Sequence, residues 1–187
     1  LLEHKINQFL LLTKFSHLCL TKKNYFMSKL KSITQIGLDS KQSEGLATEL
    51  NTLLANLQLY YQNLRGLHWN IKGQHFFQLH VKFEELYNDA QLKIDLVAER
   101  ILTLGFTPLH TFTDYLKKSS IKEGKDISDA KTAVQLVVTS LQTLVVLERN
   151  ILKTADKLND EGTNTMLTDF ITQQEKEIWM YSSWLKQ

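Results

Sequence analysis

The chain has 187 residues, of which 43% are hydrophobic, and a formal net charge of +2. This length suits one domain with a sizeable core, and a charge so near zero points to no particular partner. The single cysteine, Cys19, excludes an internal disulfide and favours a reducing compartment. No stretch of about 18 apolar residues runs without a charge, so we expect neither a membrane-spanning helix nor a membrane partner.

The first 38 residues differ in charge from the rest of the chain, because they contain six lysines and a single acid. The chain begins with Leu1, whereas Met27 precedes a lysine-bearing segment that leads into the first regular apolar pattern. We therefore expect residues 1–38 to form a flexible extension, with the native start at Met27 and residues 1–26 upstream of it. Residues 39–187 would then form the folded domain.

Apolar residues at three- and four-residue spacing predict four long helices. These helices are expected over residues 43–69, 76–104, 129–157 and 164–185. The second and third are separated by residues 105–127, and structureless connections of this length are uncommon, so residues 113–119 are assigned a short helix. Four long helices with a long connection between the second and the third indicate an all-α, ferritin-like four-helix bundle.

Capping and turn residues set the expected helix boundaries. Asp39, Ser40 and Ser43 are candidate caps of the first helix, and Ser128 is the candidate cap of the third. The stretch Asn-Asp-Glu-Gly at residues 159–162 predicts a turn before the fourth helix.

The second helix carries side chains that are typical metal ligands. His80 and Glu84 are four residues apart, which places them on one helix face. Asp95 and Glu99 have the same spacing, and the eleven residues from Glu84 to Asp95 make nearly three turns, so both pairs point the same way. His68 continues the apolar stripe of the first helix at its far end. Two imidazoles with three carboxylates suit a borderline divalent metal such as iron, manganese or zinc.

The two pairs on the second helix are too far apart to bind one ion. A rise of about 1.5 Å per residue separates them by roughly 16 Å, whereas metal–ligand bonds are about 2.0–2.2 Å long. Either the chain has two half-sites, or a second copy completes the coordination. Two-fold antiparallel pairing would set His80 and Glu84 against Asp95 and Glu99 of the partner subunit, which favours a metal site shared between subunits.

Two stretches resemble the signatures of the Dps mini-ferritins, the DNA-binding proteins from starved cells. The first is His-Trp-Asn-Ile-Lys-Gly at residues 68–73, followed by His80 and Glu84. The second is Asp-Leu-Val-Ala-Glu-Arg at residues 95–100, with a glycine and a proline after it. The resemblance covers residues 40–187.

The resemblance implies a hollow shell of twelve subunits with an iron-oxidising centre at its two-fold interface. It also places Trp69 beside that centre. The ligands and catalytic residues that it implies are His68, His80, Glu84, Asp95 and Glu99. The sequence contains no Glu-x-x-His, the motif with which larger ferritins bind metal inside one bundle, and this favours a mini-ferritin.

The implied function is that of a cytoplasmic ferroxidase and iron store. Fe(II) would enter through acidic pores, be oxidised to Fe(III) by hydrogen peroxide or oxygen, with peroxide preferred, and be stored as ferric mineral. This chemistry protects the cell and its DNA from oxidative damage, since it removes iron and peroxide together. Glu148, Asp126 and Asp129 are candidate pore acids.

Three other interpretations stay open. The chain could compact DNA in the nucleoid with secondary or no ferroxidase activity, although the few lysines after Met27 predict weak binding. The shell could bind zinc or another metal without turnover, because the ligand set is not exclusive to iron. The acids of the second helix could also form a solvated face, with Lys82, Lys93 and Arg100 as ordinary ion-pair partners.

Overall fold

The computed structural model describes residues 33–186, and in this range it contains five helices. The helices are α1 (Ser40–Asn70), α2 (Phe76–Thr103), α3 (Phe112–Lys118), α4 (Ala130–Leu158) and α5 (Glu161–Trp184). The predicted all-α bundle, with a short helix between the second and third long helices, is therefore confirmed. The expected extension and its start at Met27 lie almost wholly outside the described residues.

The core is built around α1, which packs against α2, α3 and α4, while α5 packs against α4. Leucines of α1 at the predicted three- and four-residue spacing, among them Leu46, Leu50, Leu53 and Leu57, are at most 1% exposed. Phe83 of α2 is also fully buried. Burial of each such side chain contributes about 1.5–3 kcal/mol, so this stripe fixes which faces of the helices meet.

Three asparagines of α1, Asn51, Asn56 and Asn63, hold the long connection in place. The Asn56 side-chain oxygen accepts hydrogen bonds from the backbone N–H groups of Ser120 and Ile121, each at 3.0 Å. Asn63 accepts one bond from the connection and donates another, both at 2.8 Å. Buried amide side chains thus replace the backbone hydrogen bonds that an irregular segment cannot make for itself.

Acidic side chains cap three of the long helices. Asp39 accepts a hydrogen bond from the Gln42 backbone N–H at 2.8 Å, as one of the three predicted caps of α1. The cap of α4 is Asp129, which accepts from the Thr132 N–H at 2.8 Å. The prediction of Ser128 was therefore wrong by one residue. The free energy of such a cap is about 1 kcal/mol.

Helix α5 begins three residues earlier than predicted, because the turn contains only Asn159 and Asp160. Asn159 has the left-handed conformation, with φ 54° and ψ 42°, and Asp160 caps the helix. Gly162 lies in the first turn of α5 instead of breaking the helix. A Cβ atom there would lie 2.9 Å from Nη1 of Arg100, so this glycine makes room for the guanidinium.

In the described part of the chain, α4 is the one helix that is long and apolar enough to cross a membrane by length and composition. The sequence criterion of an uncharged stretch did not single it out. Of its most apolar segment, 44% is buried inside the bundle. The helix packs against α1 and α5, as a core helix does.

Candidate metal centre

His68, near the end of α1, and His80, in the second turn of α2, lie directly against each other. Their rings are stacked at 3.7 Å with an angle of 19° between the planes. Nδ1 of His68 is 2.7 Å from the backbone oxygen of His80, and Nδ1 of His80 is 2.8 Å from the backbone oxygen of His68. A carbonyl oxygen only accepts, so each Nδ1–H donates. In the neutral rings, each Nε2 then keeps a free lone pair, which is the form of imidazole that binds a metal ion.

The short turn between α1 and α2 produces this reciprocal pair. Helix α1 ends at Asn70, and the buried side chain of Ile71, which is 2% exposed, anchors the chain as it leaves the helix. Gly73 then has φ 98°, a conformation that favours glycine. The backbone N–H of Lys72 donates to Ser128 at 2.9 Å, which fixes the turn to the residues before α4.

Aromatic rings restrict the orientation of both imidazoles. Phe76 stacks on His80 with ring centres 5.0 Å apart, and Tyr87 meets His68 edge to face at 5.4 Å. Loss of hydration raises the pKa of Tyr87, and the negative charge of Glu84 beside its hydroxyl raises it further. Glu84 therefore lies near the hydroxyl of Tyr87, whose ring contacts His68.

The three carboxylates of the predicted set, Glu84, Asp95 and Glu99, are exposed on α2. In residues 33–186, no three His, Cys, Asp or Glu side chains come close enough to hold a metal ion. The structure of one chain thus brings the two histidines together, with Glu84 on the same side. Asp95 and Glu99 of the same chain do not approach the histidines, because they lie about four to five turns beyond His80 along α2.

The basic residues of α2 do not pair with these carboxylates. Lys82 bridges to Glu85, Lys93 to Asp89, and Arg100 to Asp160. The interpretation of the ligand acids as one side of ordinary ion pairs with these three residues is therefore wrong.

Arg100 fixes the end of α2 that carries Asp95 and Glu99. Its guanidinium pairs with the buried Asp160, and its Nε donates to the Thr163 hydroxyl at 2.9 Å. Burial alone would raise the pKa of Asp160, but hydrogen bonds from Arg100 and Thr163 outweigh it, and the net shift is downward. Arg100 points into the bundle, so the adjacent Glu99 is left on the outer surface.

Two residues beside Trp69, Tyr61 and Arg65, were not among the predicted site residues. The guanidinium of Arg65 lies 4.7 Å from the Trp69 ring and 5.5 Å from the Tyr61 ring. Trp69 itself is 57% exposed. The four-residue spacing of Tyr61, Arg65 and Trp69 on one helix was the signal that predicts this stack.

Two of the three candidate pore acids, Glu148 and Asp129, have other roles in this fold. Glu148 is fully buried in the bundle, so it cannot line a pore, and that expectation was wrong. Asp129 caps α4, and hydrogen bonds from the helix N-terminus, with that from Thr132 foremost, lower its pKa.

Comparisons with known proteins agree with this fold. A family model described as a ferritin-like domain matches residues 47–187. A DNA protection during starvation protein of Porphyromonas gingivalis is 42% identical over 158 residues, which are 84% of this chain and 98% of that protein. An uncharacterized protein of Haemophilus influenzae is 49% identical over 152 residues, which are 81% of this chain and 95% of that protein.

Solved structures give the same result. A Dps protein from Vibrio cholerae O1, described as a member of a broad superfamily of ferritin-like diiron-carboxylate proteins, is 50% identical. It superposes with a TM-score of 0.81 and covers 82% of this chain and 97% of its own. The Dps of Staphylococcus aureus is 35% identical, with a TM-score of 0.73, over 76% of this chain and 95% of its own.

The bundle and the matched family model define a ferritin-like protein. Within that class, the chain belongs to the Dps family.

Proposed function

We propose that this protein is a cytoplasmic ferroxidase and iron store. It binds Fe(II) at a site shared by two chains, oxidises it to Fe(III) with hydrogen peroxide, and stores ferric mineral in a shell of twelve subunits. The observation that carries the proposal is the reciprocal hydrogen bonding of His68 and His80. It leaves the Nε2 atoms of both imidazoles free to bind a metal, with Glu84 one helical turn after His80, in a protein whose relatives include a ferritin-like diiron-carboxylate protein.

The residues of the proposed site suit both oxidation states of the substrate. The Nε2 lone pairs of His68 and His80 favour a transition metal over magnesium or calcium. Carboxylates are hard anionic ligands that stabilise Fe(III) more than Fe(II), so they favour the loss of one electron from each iron. One peroxide accepts electrons from two Fe(II) ions and, with two protons, leaves as two water molecules.

Exposed apolar side chains support a second copy of this chain as the source of the remaining ligands. Phe77, Val81 and Leu102 are 82%, 50% and 58% exposed. At 100° per residue they fall on the same face of α2 as Glu84 and Asp95. A surface that combines apolar area with metal ligands is suited to burial against another subunit.

The test of the proposed site is anaerobic loading with Fe(II), followed by addition of peroxide. Fe(III) absorbance and the mass of the assembly are followed together. Replacing both Asp95 and Glu99 by Ala should abolish fast oxidation while the helical content and the assembly stay intact. Glu44→Ala combined with Glu123→Ala removes two exposed carboxylates away from α2 and should leave the rate unchanged. Wild-type rates in the Asp95 and Glu99 variant would refute the site.

A further inference from the structure

Arg65 of α1 is a half-buried cation that aromatic rings hold in place. Its guanidinium lies 4.7 Å from the centre of the Trp69 ring and 5.5 Å from that of the Tyr61 ring. Among residues 33–186 it forms no ion pair with a carboxylate. A guanidinium stays charged in proteins, and ring faces compensate only in part for its lost hydration. The stack thus fixes a positive charge on α1 and leaves its N–H donors available.

The contacts between α1 and α2 define the register of the two helices. His68 of α1 stacks on His80 of α2. Seven residues earlier on α1, Tyr61 meets Tyr87, which is seven residues later on α2, with ring centres 6.2 Å apart. The helices are therefore antiparallel, and a residue before His68 is level with the residue at the same distance after His80.

This register places Arg65 and Glu84 at the same height. Arg65 is three residues before His68. Glu84 is four residues after His80, so the two positions differ in height by one residue, about 1.5 Å. At about 100° per residue, Arg65 is turned by about 60° from His68, and Glu84 by about 40° from its own histidine, in the same sense along each chain. Because the helices are antiparallel, both rotations lead to the same side of the helix pair.

The electrostatics of Tyr87 agree with this placement. Loss of hydration is the main cause that raises the pKa of its hydroxyl, the charge of Glu84 raises it further, and the charge of Arg65 lowers it. Both charges therefore act on one hydroxyl, at the end of a ring that contacts His68. Arg65 is thus a cation in the wall of the proposed metal site.

The charge of the proposed ligand set limits the amount of metal that it neutralises. Glu84, Asp95 and Glu99 supply three negative charges, and the histidines bind a metal as neutral rings. One divalent ion together with the Arg65 guanidinium balances these charges. Two divalent ions beside that guanidinium would leave an excess of two positive charges, and like charges repel strongly where few water molecules screen them.

We propose that Arg65 determines the metal stoichiometry of the shared site. Its guanidinium takes the place of a second divalent ion beside Glu84, so each site binds one ion tightly and a second only weakly. The second Fe(II) that one peroxide oxidises is then the weakly bound ion. This inference rests on the proposed function, because it takes the ligands of the shared site from it.

The test measures the binding of Co(II) to the assembled full-length protein by calorimetric titration and by native mass spectrometry. Wild type should bind one Co(II) per chain tightly. Arg65→Gln removes the charge and keeps a long polar side chain, so it should bind a second Co(II) about tenfold more tightly than wild type, or better. Arg65→Lys retains the charge and should behave as wild type. Lys82→Gln is the matched control, because it removes an exposed charge from the opposite side of α2 and should change nothing.

The direction of the effect separates this role from a structural one. Loss of a residue that only supports the fold weakens metal binding, whereas loss of Arg65 should strengthen it. If Arg65→Gln binds no more Co(II) than wild type, or if Lys82→Gln gains as much, the role of Arg65 is refuted. Arg65→Met keeps the packing against both rings and gives the same test if the glutamine variant folds poorly. Failure of both variants to assemble would show that Arg65 is needed for the structure and would contradict the proposal.

A variant with Asp95→Ala and Glu99→Ala distinguishes this inference from the proposed function. It should lose the tight Co(II) of wild type, and the same two changes should abolish the additional binding of Arg65→Gln. Additional binding that survives them lies elsewhere and overturns the proposal. Wild-type Co(II) binding in the Asp95 and Glu99 variant would refute the shared site itself, and the role of Arg65 with it.

Discussion

The rings of His68 and His80 are stacked at 3.7 Å, and each residue accepts, on its backbone oxygen, the Nδ1–H of the other. The backbone carbonyl of each residue therefore sets the tautomer and orientation of the other residue's imidazole. In metal sites a carboxylate, a backbone carbonyl or a water molecule performs this task. Here the acceptor for each proposed ligand is the main chain of the other.

The acceptors are backbone oxygens, so replacing either side chain by alanine keeps the hydrogen bond that orients the other imidazole. His68→Ala and His80→Ala should therefore each weaken Co(II) binding by at least about 10-fold, because each removes one ligand and leaves the other in place. The double variant should bind clearly more weakly than either single one. Binding isotherms of the four proteins measure these differences. A double variant that binds no more weakly than a single one would show that the two side chains, and not the main chain, prepare the site.

The ion pair of Arg100 with Asp160 predicts a large effect on stability. Asp160→Ala removes both a helix cap and the partner of a mostly buried guanidinium, so the free energy of unfolding should fall by about 3 kcal/mol. Asp129→Ala is the matched control, because it removes an exposed cap alone and should cost about 1 kcal/mol. Urea unfolding of both variants measures the difference. Equal losses would mean that the Arg100 pair contributes little.

Glu148 predicts a pH dependence of stability between about pH 5 and pH 7. Burial raises its pKa to about 7 in the folded protein, against the opposing effects of Gln174 and Lys93. Because the folded state then binds more protons than the unfolded state, stability falls as pH rises through this range. Glu148→Gln should remove that dependence, gaining on the order of 1–3 kcal/mol relative to wild type by pH 8.

The control for this prediction is Glu175→Gln, which changes an exposed carboxylate on α5. Its stability should follow wild type at every pH. If Glu148→Gln shows no relative gain on going from pH 5 to pH 8, Glu148 is already charged in the folded protein at the lower pH.

The charge asymmetry of residues 1–38 predicts how DNA binding depends on the start of the chain. A protein that begins at Met27 keeps only Lys29 and Lys31 in this segment and should bind DNA weakly at physiological salt. A protein that begins at Leu1 keeps six lysines and should bind DNA more tightly at low salt. Its affinity should fall steeply as the salt concentration rises, because the release of counterions from DNA then contributes less to binding. Gel shifts of both proteins at two salt concentrations test this. Tight compaction by the Met27 form would assign binding to the folded domain.

The sequence predicted the helices well where periodicity decides structure. The stripe from Leu46 to Leu64 fixed α1, because a buried face needs apolar residues at every turn. The prediction from the sequence failed at the start of α5, where Gly162 was interpreted as a turn residue. Its role in accommodating Arg100 depends on a contact between residues far apart in the sequence, which local patterns do not contain.

The residues proposed as ligands could also be predicted from their spacing and from the resemblance. The hydrogen bonds that orient the two histidines could not. The hydrogen bonds between His68 and His80 depend on the path of the turn that contains Gly73. Lys93 was considered a surface ion-pair partner because lysine is usually exposed. Its burial follows from packing against Phe170 and Gln173 of α5, which no helix periodicity of α2 reveals.

The most direct test of the central claim is a mixture of two inactive proteins. One carries His68→Ala with His80→Ala, and the other carries Asp95→Ala with Glu99→Ala. They are unfolded, mixed in equal amounts and reassembled, and co-assembly is verified by native mass spectrometry. Each hybrid two-fold interface then contains one intact site and one site without any of these four ligands.

A site shared between chains predicts recovery of about one quarter of the wild-type rate of iron oxidation. Half of the interfaces are hybrid, and one of the two sites in each hybrid interface is intact. No recovery in proven mixed assemblies would contradict a shared site and place the iron centre within one chain.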